Sequence, residues 1–308
     1  MPSPFPYCDS IMSLPVDSTA LLAQLERIAN SLERAFPPPQ EQVFDTQAIA
    51  FQWQYRRVRG VEQAVLSAVK NPSLISFEAL QNIERQKRLI EQNTRQFVEG
   101  RPANNVLLTG ARGTGKSSLV KACLERFHGQ GLRLIEVDKA HIGDLPEILD
   151  FTTGRPERFI LFCDDLSFEE GDIGYKSLKT VLDGSVAGQA ANTLIYATSN
   201  RRHLMAERAS DNLNWKRGEN GDLHPGEESE EKISLSERFG LWISFYPFSQ
   251  DEFLGAVNEW LAACGVPEDA YEQAHVEALR WATQRGSRSG RIAAQFARDY
   301  AGRLAAEA

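Results

Sequence analysis

At 308 residues the chain is long enough for about two domains and a sizeable core, and its 42% hydrophobic, 25% charged and 9% aromatic residues exclude collagen-like, low-complexity and wholly disordered classes. Its apolar runs, such as residues 159–163, fall far short of the roughly 18 residues a bilayer span needs, and no basic segment leads into an apolar stretch at the N-terminus, so neither a span nor a secretory signal is expected. The net charge of −8 works against general attraction to nucleic acid, and Cys8, Cys123, Cys163 and Cys264, with no C-x-x-C pair, offer neither a zinc site nor a disulfide framework; a reducing cytoplasm is expected.

In chain order, residues 1–16 contain four prolines and no periodicity, which predicts a loosely packed, disordered arm. Leu21, Leu22, Leu25, Ile28, Ala29 and Leu32 then recur at helical spacing until Pro37, Pro38 and Pro39 stop the pattern. Further amphipathic helices are expected near 61–70 and from Ser76 to about Val98, the latter closed by Gly100 and Pro102. From Asn104 short apolar runs alternate with helical segments, the pattern of a parallel sheet with crossover helices. Strands are expected at 105–109, 132–137, 159–163, 193–198 and 242–246. A long polar stretch, 201–232, separates the last two, basic early and acidic late. After Pro247 only helical patterns remain, at about 249–263, 268–284 and 289–305. The expected organisation is a helical N-terminal extension (1–70), an α/β domain with a five-stranded parallel sheet (71–247) and a small all-helical C-terminal domain (248–308).

Gly110, Ala111, Arg112, Gly113, Thr114, Gly115, Lys116 and Ser117 match G-x-x-x-x-G-K-[ST] between an expected strand and an expected helix, with Ser118 continuing into that helix. Glycines let successive N–H groups turn toward a phosphate and the helix N-terminus adds a positive dipole. Lys116 is then placed for the β/γ-phosphates and Ser117 for Mg²⁺. The spacing predicts an ATP site with a Mg²⁺ ion. The strand at 159–163 ends in Asp164 and Asp165, at the sheet edge where such folds bind ligands. Asp164 is placed to reach Mg²⁺ through water and Asp165 to orient or deprotonate an attacking water, although paired acids after a strand also serve as helix caps. Glu169 and Glu170 are alternative sources of the base. Asn200 follows the strand at 193–198, where on local evidence its side chain can close a turn.

With these segments the chain resembles the AAA+ ATPases. That resemblance implies that Asn200 is a sensor placing the water. It also implies that Arg238, in Ser234-Leu-Ser-Glu-Arg-Phe-Gly240, is an arginine finger offered to a neighbouring subunit, and hence that the protein is a homo-oligomer. Arg291, with Arg288 as second choice, is similar to the sensor arginine of the helical lid, and Ile83 to a residue lining the adenine pocket. Leu182-Asp183-Gly184 is similar to a helix ending common in these domains. From about Ser76 to Tyr300 the order of segments resembles a small family of uncharacterised bacterial AAA+ ATP-binding proteins. The resemblance implies ATP hydrolysis coupled to conformational change, acting on an unknown protein or nucleic-acid client. A nucleotide-gated module with little hydrolysis and a helicase-loader-like role drawing on the arginines of 280–303 stand as alternatives. The segment 137–144 has no aromatic residue, which gives no support to polypeptide threading, and His141 there reads as a solvated side chain.

Overall fold

A computed structural model describes residues 18–35, 44–58, 60–168, 172–184, 191–201, 204, 216–217, 223–224 and 235–307. The arm 1–16, most of 201–232, and Glu169 and Glu170 lie outside the described residues. The chain divides into two compact units, residues 1–44 and 45–308. The first holds helix α1 (Ser18–Ala35), whose leucines and isoleucine recur every three or four residues on one stripe.

The second unit is built on a seven-stranded sheet. Its strands are β1 (Ala50–Val58), β2 (Val61–Ala68), β3 (Val106–Gly110), β4 (Leu132–Val137), β5 (Arg158–Cys163), β6 (Thr193–Ser199) and β9 (Leu241–Phe245), in the spatial order β2-β1-β4-β5-β6-β3-β9. Lys216–Arg217 (β7) and Leu223–His224 (β8) form a separate two-stranded ribbon. All neighbours in the main sheet run parallel except β1 and β2. The inner strands read as unbroken apolar runs because both faces are covered; Val106, Leu107 and Leu108 are fully buried, as are Phe159, Ile160 and Leu161. Helices α2 (Glu84–Val98), α3 (Lys116–Phe127), α4 (Leu145–Thr152) and α5 (Ile173–Asp183) accompany the sheet. A buried polar cluster fixes α2: Asn93 donates to the Asn104 carbonyl and the Tyr196 hydroxyl, and Thr94 lies 2.8 Å from that same hydroxyl. Burial pushes the Tyr196 phenol well above its ordinary range, so it stays neutral and can serve as donor and acceptor.

Three expectations fail here. The sheet has seven strands, not five, and the helix expected near 61–70 is the second arm of a hairpin. Along β1, Phe51, Trp53 and Tyr55 alternate with Gln52, Gln54 and Arg56, a period of two that allows Ala50–Trp53 to add in parallel to β4. β2 then pairs antiparallel from Val61 against Val58 to Ala68 against Phe51, and Trp53 Nε1 donates to Asp144 at 2.9 Å. Tertiary pairing overrides the amphipathic pattern near 61–70 that suggests a helix. The third helix starts at Glu84 instead of Ser76, because Asn82 takes a left-handed backbone, φ +62°. Phe77, Leu80 and Ile83 are nevertheless buried, which is why they show helical spacing. The loop after β4 has no aromatic of its own, but the Tyr55 ring packs 5.0 Å from the His141 ring.

Three C-terminal helices, α6 (Gln250–Ala263), α7 (Tyr271–Gln284) and α8 (Gly290–Glu307), enclose their own core of Phe253, Val257, Leu261, Ala278, Ala293 and Phe296. Ser249 opens α6 with a capping box: its hydroxyl accepts from the Glu252 N–H while the Glu252 carboxylate accepts from the Ser249 N–H. Asn82 joins this bundle to the sheet side by donating to the Glu252 carbonyl at 2.9 Å. Among the described residues, no helix is long and apolar enough to cross a membrane.

Candidate functional site

The site grows from the turn between β3 and α3. Gly110 lies so close to β9 that a Cβ would stand 1.9 Å from the Phe245 carbonyl oxygen, and its φ of +129° also favours glycine. Gly113 is pressed on by the start of α8: a Cβ there would meet Ser289 Oγ at 2.6 Å, and the Arg291 N–H donates to the Gly113 carbonyl at 3.4 Å. The loop is thus shaped by the sheet on one side and by the C-terminal helices on the other.

Lys116, the first residue of α3, is 6% exposed and folds its ammonium back over the loop. Nζ donates to the carbonyls of Gly110 and Ala111, both at 2.7 Å, and to Asn200 Oδ1 at 3.0 Å. Burial is the main cause that pulls its pKa down to about 8, with Arg291 and Arg112 adding to the fall while Asp164 and Asp165 oppose it. The Asn200 amide donates in turn to Asp165, so one side chain joins the lysine to the second acid. Arg112 reaches toward Asp165 Oδ2 at 3.8 Å, with both groups in solvent.

Ser117 Oγ donates to Asp164 Oδ1 at 2.7 Å. A hydroxyl beside a carboxylate is a donor set suited to Mg²⁺, which keeps most of its shell as water and phosphate oxygens and needs few protein ligands. Among the described residues no group of three or more His, Cys, Asp and Glu could hold a metal ion alone, so a cation here depends on a second anionic ligand. Thr198, which no sequence motif singled out, also donates to Asp164 Oδ1, at 2.5 Å.

These groups open into one cavity of about 1040 Å³. Arg112, Gly113, Thr114, Gly115, Lys116, Ser117 and Ser118 line it, as do Asp164, Asp165, Asn200 and Arg291. The expected phosphate, metal and water-positioning residues are therefore brought together, although Gly110 and Ala111 contribute through their carbonyls to Lys116 and not to the lining. Ile83 lines the same cavity with Ile75 and Leu80, as do Phe248, just before α6, and Ala256 and Trp260 on α6. Ile83 stands beside the loop, its Cδ1 3.6 Å from where a Cβ on Gly115 would lie, and these apolar groups suit a planar base while the loop N–H groups suit phosphates. Arg298 lines the cavity near the Trp260 ring, 6.0 Å from its centre, and was not foreseen. Arg288 and Arg238 are not among the lining residues. Arg238 is instead ion-paired with Asp183 at the end of α5.

The family described as protein of unknown function DUF815 matches residues 46–304. No curated protein is significantly similar in sequence. Solved structures that are similar include the Thermotoga maritima RuvB Holliday junction branch migration motor, 14% identical over 72% of this chain and 70% of that one, with a TM-score of 0.40. The FIGL-1 AAA domain in complex with ADP is 14% identical over 74% of each chain, with a TM-score of 0.46. A chain of the E. coli MS115-1 HORMA:CdnC:Trip13 complex is 12% identical over 72% of this chain and 89% of that one, with a TM-score of 0.44.

Proposed function

We propose that this chain, which belongs to the DUF815 family, is an AAA+ type ATPase that binds MgATP in the cavity between the sheet and the C-terminal helices and hydrolyses it within an oligomer. The observation that carries this reading is the linked set Lys116–Asn200–Asp165 beside Ser117–Asp164, all at one glycine-rich strand-to-helix turn. The loop N–H groups and the Lys116 ammonium bind the β/γ-phosphates. Ser117 and Asp164 are the residues that would hold Mg²⁺, which neutralises phosphate charge when bound. Asn200 and Asp165 orient a water; as its oxygen bonds to the γ-phosphorus, Asp165 takes its proton and the β,γ-bridging oxygen leaves with ADP. Ile83, Phe248 and Trp260 enclose the base, and Arg291 supports the phosphates from α8.

Arg238 serves a neighbouring subunit in this reading, supported by its place outside the cavity lining of its own chain and by the permanent charge and planar fork of guanidinium. The C-terminal helices act as a lid whose angle follows nucleotide state, and the free thiols Cys123, Cys163 and Cys264 fit a reducing cytoplasm. The test is steady-state ATP hydrolysis per protomer as protein concentration rises through the micromolar range. Specific activity should climb with concentration, and Arg238→Ala should keep ATP binding while losing about 10³-fold or more in turnover. ATP binding with no hydrolysis at any concentration overturns the enzyme reading, and unchanged ATP affinity in Lys116→Ala overturns the site itself.

A further inference from the structure

The two carboxylates after β5 are not held by their own backbone alone. Asp165 takes φ +52°, a left-handed conformation that a residue with a side chain keeps only where its surroundings fix it. One side chain reaches both acids. Thr198, near the end of β6 and 1% exposed, donates its hydroxyl proton to Asp164 Oδ1 at 2.5 Å, and its oxygen accepts from the Asp165 N–H at 2.9 Å. The next links strengthen the clamp: the Leu166 N–H donates to the Thr198 carbonyl at 2.7 Å, and Ser199 Oγ donates to the Leu166 carbonyl at 2.7 Å. A hydroxyl is the smallest side-chain group that donates and accepts at once, so valine fits the same space and makes neither bond.

We propose that Thr198 is a positioning residue of this site, orienting Asp164 toward the metal and holding Asp165 in the left-handed turn that presents its carboxylate to Asn200. The inference rests on reading the cavity as an MgATP hydrolase. Ser117 and Thr198 converge on the same Asp164 oxygen, so the carboxylate is fixed from α3 on one side and from β6 on the other. Asn200 lies two residues beyond Thr198 and bonds to Asp165, so a shift of the end of β6 moves the metal acid, the base and the water-positioning amide as one piece. Thr198 acts through these groups; no contact with nucleotide is required of it.

The test compares full-length parent, Thr198→Val, Thr198→Ser and Thr198→Cys, using a fluorescent ATP analogue titrated with Mg²⁺ and with EDTA, beside steady-state kcat and KM for ATP. Thr198→Val should keep its Mg²⁺-free affinity within about twofold, lose at least about fivefold of the gain in affinity that Mg²⁺ brings, and lose at least about tenfold in kcat with KM little changed. Thr198→Ser should restore both to within about threefold of the parent. If Thr198→Val does not fold, Thr198→Cys, similar in size and a weak donor, should show the same split between metal-dependent and metal-free binding. The proposal is overturned if the Val or Cys variant keeps the Mg²⁺ gain and kcat within about threefold of the parent, or if metal-free and metal-dependent affinity fall together and Thr198→Ser rescues neither. Lys116→Ala keeps the two readings apart: ATP bound by that variant as by the parent sinks the site assignment, whereas a lost site there with an unaffected Thr198→Val sinks only the positioning role.

Discussion

Lys116 gives the pH dependence of nucleotide binding a defined sign and size. Its ammonium is buried against two carbonyls and Asn200, and burial brings its pKa down to about 8, against an ordinary 10.5. A bound polyphosphate places several negative charges beside the ammonium and favours the charged form again, so binding above pH 8 must draw in a proton. The sign is therefore a loss of affinity as pH rises through about 8. With a bound-state pKa above 10, affinity falls between pH 7 and pH 9 by about (1 + 10)/(1 + 0.1), or roughly tenfold, equivalent to about 1.4 kcal/mol. The γ-phosphate is already ionised over that range and contributes no comparable slope. Titration calorimetry with a non-hydrolysable ATP analogue and Mg²⁺, in buffers of different ionisation enthalpy, should find close to one proton taken up per nucleotide at pH 9 and near none at pH 7. Lys116→Arg, whose charge does not titrate, should flatten both profiles whatever its absolute affinity. Parent affinity that stays constant from pH 7 to 9 would refute the reasoning, because a lysine with its ordinary pKa remains charged throughout.

The linkage has a second face without ligand. The folded pKa lies below the unfolded one, so the parent should gain stability relative to Lys116→Met as pH rises from about 8 toward 10.5, read as a widening difference in urea midpoints. Gly113→Ala forces a Cβ to within 2.6 Å of Ser289 Oγ at φ +77°, and should weaken ATP binding at least about tenfold while leaving the far-UV circular dichroism unchanged. Phe296→Ala, at a fully buried position in the C-terminal helical core, should cost about 3–5 kcal/mol in denaturant unfolding, with loss of nucleotide affinity following because Phe248 and Trp260 belong to or pack on the same core.

Much of the site could be read from the chain because its chemistry is local. The glycines, Lys116 and Ser117 all lie within eight consecutive positions from Gly110, and each needs only the strand before and the helix after it. The hairpin was harder to see for the opposite reason. Nothing in residues 61–68 records that Ala50–Trp53 adds beside β4, and only the alternation of Phe51, Trp53 and Tyr55 with Gln52 and Gln54 carried a strand signal there. Asn82 ends the helical reading of 76–83 through one backbone angle that its neighbours do not dictate.

Thr198 shows where local reading stops in the site itself. The register of β5 on β6 sets Cys163 opposite Ala197, so the residues that follow each, Asp164 just past β5 and Thr198 still within β6, stand side by side. β3 pairs with the same strand, Leu108 opposite Thr198, which brings the glycine-rich turn and the acids to the two sides of one residue. A slip of one position would place Ala197 or Ser199 beside Asp164 and turn the side chain to the other face of the sheet. The requirement for a hydroxyl at 198 is therefore a property of three strands in register, and neither Thr198 nor Asp164 reveals it in its own stretch of sequence. Asn200 follows from that same register, since its amide reaches Lys116 and Asp165 only if β6 ends where this pairing ends it. Binding and turnover thus have separable structural origins. The glycine-rich turn is encoded in one segment, whereas the placement of the acids that the proposed function assigns to metal and water depends on how that segment's neighbours in the sheet are aligned.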